Sequence, residues 1–337
     1  MHHAVRSLRS GSAGRATRLR AVGVAGALIT ATALAGCAGE AGPGATNSAE
    51  APPTQTAAGF PVTVDTSTGP VRIEKQPQRI VSLSPSATET LFAIGAGSQV
   101  IAADEYSTYP ADAPKTTLSG FEPNVEAIAG YEPDLLVVAM DMNDLVGSMT
   151  KLGVPVIVSP APLTVDAGYG DMAALGTATG HTAEAEKVIA TMRDDVATAL
   201  AKAPNEPIRV YHELDSSYHS ASSHSFIGSI YKDMGATNIA DAADTDKTGY
   251  PALTEEAVVA ADPQLIVITD QSGYGVEDVL ARPGWSQVSA VKNKAVMAVD
   301  ADVASRWGPR LPQFITTVAD AMSRATSALS TPSASAA

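Results

Sequence analysis

The chain has 337 residues, 45% of them hydrophobic, which suffices for one large domain or two lobes of ordinary size. Its formal charge is −14 and it holds a single cysteine. Such an acidic surface disfavours nucleic acid and anionic lipid headgroups as partners, and one cysteine excludes an internal disulfide.

The first 36 residues carry Arg6, Arg9, Arg15, Arg18 and Arg20 without an acid, then an apolar run from Ala21 to Gly36. These are the charged and apolar halves of an export signal. The run is short and rich in Ala, Gly and Thr, whereas a membrane-spanning helix takes about 20 apolar residues. Loss of the signal removes five of the 22 basic residues and none of the 36 acidic ones, leaving −19. Leu34-Ala35-Gly36-Cys37 resembles a bacterial lipobox, which implies that Cys37 is lipidated and becomes the first residue. Acyl chains contribute about 0.8 kcal/mol per buried methylene, so the expected membrane anchor is covalent rather than electrostatic. Residues 37–59 therefore read as a lipidated Cys and a Pro/Gly/Ala/Ser/Thr-rich tether with a mean span of roughly 25 Å.

Residues 60–181 read as a first α/β lobe. It opens with a hairpin of Val62–Val64 and Val71–Ile73 around a turn from Thr66 to Gly69. Short β runs then alternate with helical phrases: Arg79–Leu83, Ala87–Ile94, Val100–Ala103, Val125–Gly130, Leu135–Ala139, Asp144–Leu152 and Val154–Val158. This order predicts a parallel sheet with helical crossovers. From Thr182 to Lys202, Val188, Ile189, Met192, Val196, Ala199 and Leu200 recur at helical spacing without an internal Pro or Gly, the longest uninterrupted helix signal in the chain. We take 182–203 as a bridging helix, stopped at Pro204.

A second α/β lobe, 204–325, repeats the alternation: Ile208–Leu214, Phe226–Met234, Thr254–Ala261, Leu265–Thr269, Ala295–Val299 and a closing helix from about Pro309 to Ser323. Residues 326–337, rich in Ser and Ala, read as a disordered tail. The two lobes share a phrase. Glu126, Ala127, Pro133, Leu135 and Val137 recur 130 positions later as Glu256, Ala257, Pro263, Leu265 and Val267, and Pro77 and Arg79 recur as Pro207 and Arg209. The expected fold is α/β, two Rossmann-like lobes with central parallel sheets joined by a single long helix.

No phosphate-binding Gly-rich loop and no Gly-x-Ser-x-Gly elbow is present, which removes the usual handles for nucleotide hydrolysis and esterase chemistry. His212, His219 and His224 cluster in sequence and suit either strand-end histidines or, with a carboxylate, a zinc or manganese site. Ser84-Pro85-Ser86 follows the end of a predicted strand, where open parallel sheets place ligands; a nucleophilic Ser84 in a surface hydrolase is the alternative.

Pro77–Gly95 (PQRIVSLSPSATETLFAIG), Tyr106-Ser-Thr-Tyr109-Pro110, Asn124-Val-Glu126 with Pro133-Asp-Leu, and Tyr250-Pro251 with Glu256 and Pro263 together resemble the class III periplasmic binding proteins, over about residues 60–325. These are the solute receptors of ABC importers for cobalamin, ferric siderophores and haem. The resemblance implies a receptor rather than an enzyme, anchored at the outer face of the cell membrane through Cys37. It implies a monomer without cofactor whose partners are a metal chelate, an ABC permease and its ATPase. It also implies that Glu126 and Glu256 dock onto permease arginines; by position both acids would equally suit a helix first turn, behind the caps Asn124 and Thr254. Cargo would lie between the lobes against Ser86, Tyr106, Phe121, Tyr218, Tyr250, Arg306 and Trp307, because large, partly apolar chelates need ring faces. The Tyr and Phe rings would otherwise fill loop cores, and Arg306 would pair with a cargo anion or stand at the start of a helix. Cobalamin or a ferric siderophore is the expected cargo. Haem, with Tyr106, Tyr218 or His219 as axial ligand, is the alternative. A single helical bridge implies little lobe closure on binding.

Overall fold

A computed structural model describes residues 59–270 and 272–330, all inside one compact unit that spans 55–337. The export signal, Cys37, nearly all of the tether and residues 331–337 lie outside the described residues.

The first strands, β1 (Val62–Thr66) and β2 (Gly69–Ile73), form the expected antiparallel hairpin, with Gly69 at φ 111° supplying the turn. There follow β3 (Ile80–Leu83), α1 (Pro85–Ala93), β4 (Val100–Asp104), β5 (Lys115–Leu118), α2 (Val125–Ala129), β6 (Leu135–Val138), α3 (Leu145–Lys151) and β7 (Val156–Val158). They build a five-stranded parallel sheet ordered β5-β4-β3-β6-β7. Next come α4 (Val165–Thr179) and α5 (Thr182–Leu200), the latter the bridging helix. The second lobe runs β8 (Arg209–Glu213), α6 (Phe226–Asp233), β9 (Thr237–Asn238), α7 (Glu255–Ala261), β10 (Leu265–Thr269), α8 (Val276–Leu280), α9 (Ser289–Lys292), β11 (Val296–Val299), α10 (Ala301–Ser305) and α11 (Leu311–Ser330). Its parallel sheet is ordered β11-β10-β8-β9.

The short elements β5, β9, α8, α9 and α10 have no counterpart in the sequence reading, and two longer elements depart from it. Helix α4 has no counterpart there, because Gly168, Gly170 and Gly176 dilute its apolar pattern; its ends are nonetheless set by Thr164, whose Oγ1 accepts from the Ala167 N–H at 3.2 Å, and by Gly180 in the left-handed region at φ 80°. Gly176 also lets α4 and α5 approach, since a Cβ there would stand 2.4 Å from the Ala185 Cβ. The second departure is α11, which at 20 residues outruns the 19 of α5 and continues through Ser330 rather than fraying at Thr326. Buried Met322 and Ala325 hold that last stretch against the fold, and the Thr326 hydroxyl donates back to the Met322 carbonyl at 3.0 Å.

The repeated phrase has a structural counterpart. Ile80 pairs with Leu135 in one sheet, and 130 residues on Val210 pairs with Leu265 in the other. Glu132, two residues past the cap of α2, and Asp262, the cap of α7, stand in the left-handed region at φ 49° and 48°. Arg79 Nε donates to the Glu132 carbonyl at 2.9 Å, and Arg209 Nε to the Asp262 carbonyl at 2.8 Å, so each arginine caps the helix that leads into the neighbouring strand. Side chains alternate across a strand. Leu135, Val137, Leu265 and Val267, the repeated apolar positions, all enter one buried cluster that runs through both lobes by way of α4, α5 and α11. Leu136 and Val138 enter an outer cluster of the first lobe, and Ile266 and Ile268 one of the second. The duplicated letters therefore mark the face that the lobes share.

Candidate functional site

In parallel sheets ligands gather at the carboxyl edge of the strands. Along that edge of the first lobe the loops after β5, β4, β6 and β7 each expose a large apolar side chain: Phe121 (59% exposed), Tyr106 and Tyr109, Met140, and Leu163 (69%). The loop after β3, the central strand, instead caps α1: the Ser84 hydroxyl accepts from the Ala87 N–H, and Ser86 is buried. Tyr106 and Phe121 meet edge to face with ring centroids 5.8 Å apart.

The second lobe faces this edge through the segment after β11 and α10. The Thr108 hydroxyl donates to Asp302 at 3.1 Å, and Arg306 donates to the Tyr106 carbonyl at 2.9 Å. Arg306, only 9% exposed, also reaches Glu89 Oε1 at 3.3 Å and Asp302 at 2.8 Å. Arg310 donates to both oxygens of Glu89, at 2.9 and 2.6 Å, and its guanidinium carbon lies 4.3 Å from the centroid of the Tyr109 ring. Its hydrogen bonds to Glu89 raise the Arg310 pKa above the ordinary arginine value. Glu89, on α1, is 2% exposed. Trp307 is half-buried and packs edge to face on Phe226 at 6.4 Å; with Val165, Tyr169, Met172, Met192 and Leu311 it lines a small apolar pocket.

On the second lobe Tyr218 and the segment leading from Tyr250 run side by side: the Leu253 N–H donates to the Tyr218 carbonyl at 3.1 Å, and His219 bridges Ala252. Tyr218 is at φ 62° and half-buried, and its ring is stacked on Trp285 at 6.3 Å, whereas Tyr250 is exposed. Beneath Tyr218 lies Arg282, also against Tyr274 and Trp285, at 5.6, 5.0 and 4.7 Å from the three rings. Arg282 makes a two-pronged pair with the fully buried Glu213, at 2.7 and 2.6 Å, and Tyr274 donates its hydroxyl to the same carboxylate. Burial and that hydrogen bond push the Tyr274 pKa up.

The three histidines of the second lobe do not converge. His212 is fully buried, bonded through Nδ1 to the Tyr231 hydroxyl at 2.7 Å, and burial lowers its pKa to about 4. His219 pairs with Asp215 at 2.9 Å and His224 with Asp244 at 3.1 Å. Among the described residues no group of three or more His, Cys, Asp and Glu side chains is arranged to hold a metal ion, which removes the geometry on which a zinc or manganese receptor would rest.

Glu126 and Glu256 are both exposed in the first turn of matching helices. Asn124 Oδ1 accepts from the Ala127 N–H at 2.9 Å and Thr254 Oγ1 from the Ala257 N–H at 3.2 Å. The caps thus serve the helices through Asn124 and Thr254, and neither glutamate is needed for them.

Sequence reasoning missed Glu89, Arg282, Met140 and Leu163. Met140 and Leu163 carried a usable signal, an apolar residue just past a predicted strand; Glu89 and Arg282 carried none, because their partners are distant in sequence.

A profile of the periplasmic binding protein family matches residues 80–303. The chain belongs to the periplasmic binding protein family. A member of this family is a solute receptor of transport and not an enzyme. Over 307 residues the chain is 29% identical to an uncharacterized ABC transporter substrate-binding lipoprotein, YvrC, of Bacillus subtilis strain 168, covering 88% of this chain and 94% of that one. It is 32% identical over 286 residues to a cobalamin-binding protein of Halobacterium salinarum, covering 80% and 76%. Among solved structures, the vitamin B12 binding protein BtuF of Vibrio cholerae superposes with a TM-score of 0.63 at 24% identity, over 76% of this chain and 99% of that one. The periplasmic heme-binding protein RhuT from Roseiflexus sp. RS-1 gives 0.66 at 24%, over 74% and 99%. These structures share the two-lobed fold.

Proposed function

We propose that this periplasmic binding protein is the substrate-binding lipoprotein of an ABC importer for cobalamin or a close corrinoid relative. It would hold the cargo between its lobes and present it to a permease and its ATPase. The observation that carries the reading is the row of exposed rings and apolar side chains, Phe121, Tyr106, Tyr109, Met140 and Leu163, along the edge that faces the second lobe. A surface of that kind fits a large, partly apolar chelate. The 32% identical relative named for cobalamin supports the choice within the class. Anchorage through Cys37 is part of the proposal, supported by the lipobox resemblance and by the lipoprotein relative. Among the described residues no helix is long and apolar enough to cross a membrane. Glu126 and Glu256, equivalent and exposed, are the proposed permease contacts.

The shared hydrophobic cluster and the Glu89 contacts favour a small closure between the lobes. Haem is the second reading, because the Asp215 carboxylate orients His219 as it would a metal ligand.

Titration by fluorescence quenching with cyanocobalamin, hemin and several ferric siderophores tests the proposal. Cyanocobalamin should bind with a dissociation constant of about 1 μM or below. Tyr106→Ala should weaken it roughly tenfold through loss of one ring contact and its buried area. Flat curves for cyanocobalamin beside saturable binding of hemin would transfer the assignment to haem, and flat curves throughout would refute the class.

A further inference from the structure

We infer that Glu89 sets the charge selectivity of the cleft: by holding Arg310, and Arg306 jointly with Asp302, it withholds guanidinium charge from the cargo and reserves the site for uncharged chelates. This rests on the corrinoid reading above and adds a specificity-determining residue to it.

The two arginines reach Glu89 from 217 and 221 residues away, across the boundary between the lobes. Both lie against the ring-bearing loop, Arg306 on the Tyr106 carbonyl and Arg310 on the Tyr109 ring. An unpaired arginine at this place would be a ready partner for a carboxylate on the cargo. Instead the charges balance within the protein. Glu89 takes three contacts from the two guanidinium groups, and Asp302 takes the remaining end of Arg306 at 2.8 Å. Stability alone is a weak reason for the arrangement, because well-packed apolar residues often replace a buried ion triad without loss. Its chemical effect on the cleft is definite: rings remain exposed while the adjacent cations are neutralised.

The consequences for the two arginines differ. In Glu89→Gln, Arg306 retains Asp302 and the Tyr106 carbonyl, whereas Arg310 loses both of its carboxylate contacts and keeps the Tyr109 ring. Arg310 thus loses its bonded carboxylate beside the exposed Tyr109, with Asp300 and Asp302 left as its acidic neighbours. Glu89 acts through the arginines and is a positioning residue.

The test uses the full chain with two probes that share a macrocycle, cyanocobalamin and its monocarboxylate, in which one side-chain amide is hydrolysed. The wild-type chain should prefer the neutral probe. In Glu89→Gln the ratio of the two dissociation constants should shift about tenfold toward the carboxylate, and the shift should fade at high salt. Glu89→Gln/Arg310→Gln should return the ratio to the wild-type value, a rescue that a merely structural role would not produce. A folded Glu89→Gln chain with an unchanged ratio overturns the inference. Should Glu89→Gln fail to fold, Arg310→Gln decides. It leaves one acidic charge uncompensated beside Tyr109, so the inference requires the ratio to shift further toward the neutral probe and the shift to fade at high salt, and an unchanged ratio overturns it. A wild-type chain that binds neither probe refutes the corrinoid reading, and the inference with it.

Discussion

Glu213→Gln is an isosteric change that removes one charge from a site where two are buried together. Glu213 is 0% exposed and accepts two N–H bonds from Arg282 and the Tyr274 hydroxyl, while the Arg282 side chain is 16% exposed. Deleting one partner of a buried pair costs about 3 to 5 kcal/mol, because the other charge is left uncompensated. The glutamine keeps one acceptor oxygen for the groups around it, so the expected loss lies at the lower end, roughly 3 kcal/mol. Urea unfolding followed by circular dichroism measures it. The double variant Glu213→Gln/Arg282→Met buries no charge, keeps an acceptor for Tyr274, and should lie within about 1 kcal/mol of wild type. It should still bind cyanocobalamin several-fold more weakly, because Tyr218 loses the cation beneath its ring. A double variant as unstable as the single one would refute the reasoning, since the damage would then come from packing rather than from an unpaired charge.

Two further outcomes are expected. His212 is neutral in the folded chain with its pKa lowered to about 4, against 6.5 for the unfolded side chain, so the unfolded state binds the extra proton between these values. Its contribution is fully present above about pH 6.5 and is lost as pH falls toward 4, at up to about 1.4 kcal/mol per unit and about 3 kcal/mol in total. The stability difference between wild type and His212→Asn should shrink accordingly over that window; a constant difference would mean that the imidazole does not titrate as a buried neutral group. For permease docking, Glu126→Ala/Glu256→Ala should leave cyanocobalamin affinity unchanged and abolish uptake by cells, with a stability loss of no more than about 1 kcal/mol per helix. Normal uptake would exclude the docking role.

Much of this protein was legible in one dimension. Strand and helix type, the parallel order and the duplication at 130 residues follow from local patterns. The same chemistry at Arg79 and Arg209, or at Leu135 and Leu265, must satisfy the same cap or core face wherever it recurs. The loop rings Tyr106 and Phe121 were also visible, as aromatics just past predicted strands. Other features were settled by packing alone. Helix α4 is glycine-diluted and is held by its neighbours rather than by its own periodicity. His212, His219 and His224, adjacent in sequence, end on three separate partners because a strand and its loops carry them apart. Glu89 reads as one polar residue in a short helix, and Arg306 as a free cation, until the lobes bring them together. Secondary structure is encoded by near neighbours in the chain, whereas the state of a charge depends on what long-range packing sets beside it, and in this cleft that difference separates a cationic site from an uncharged one.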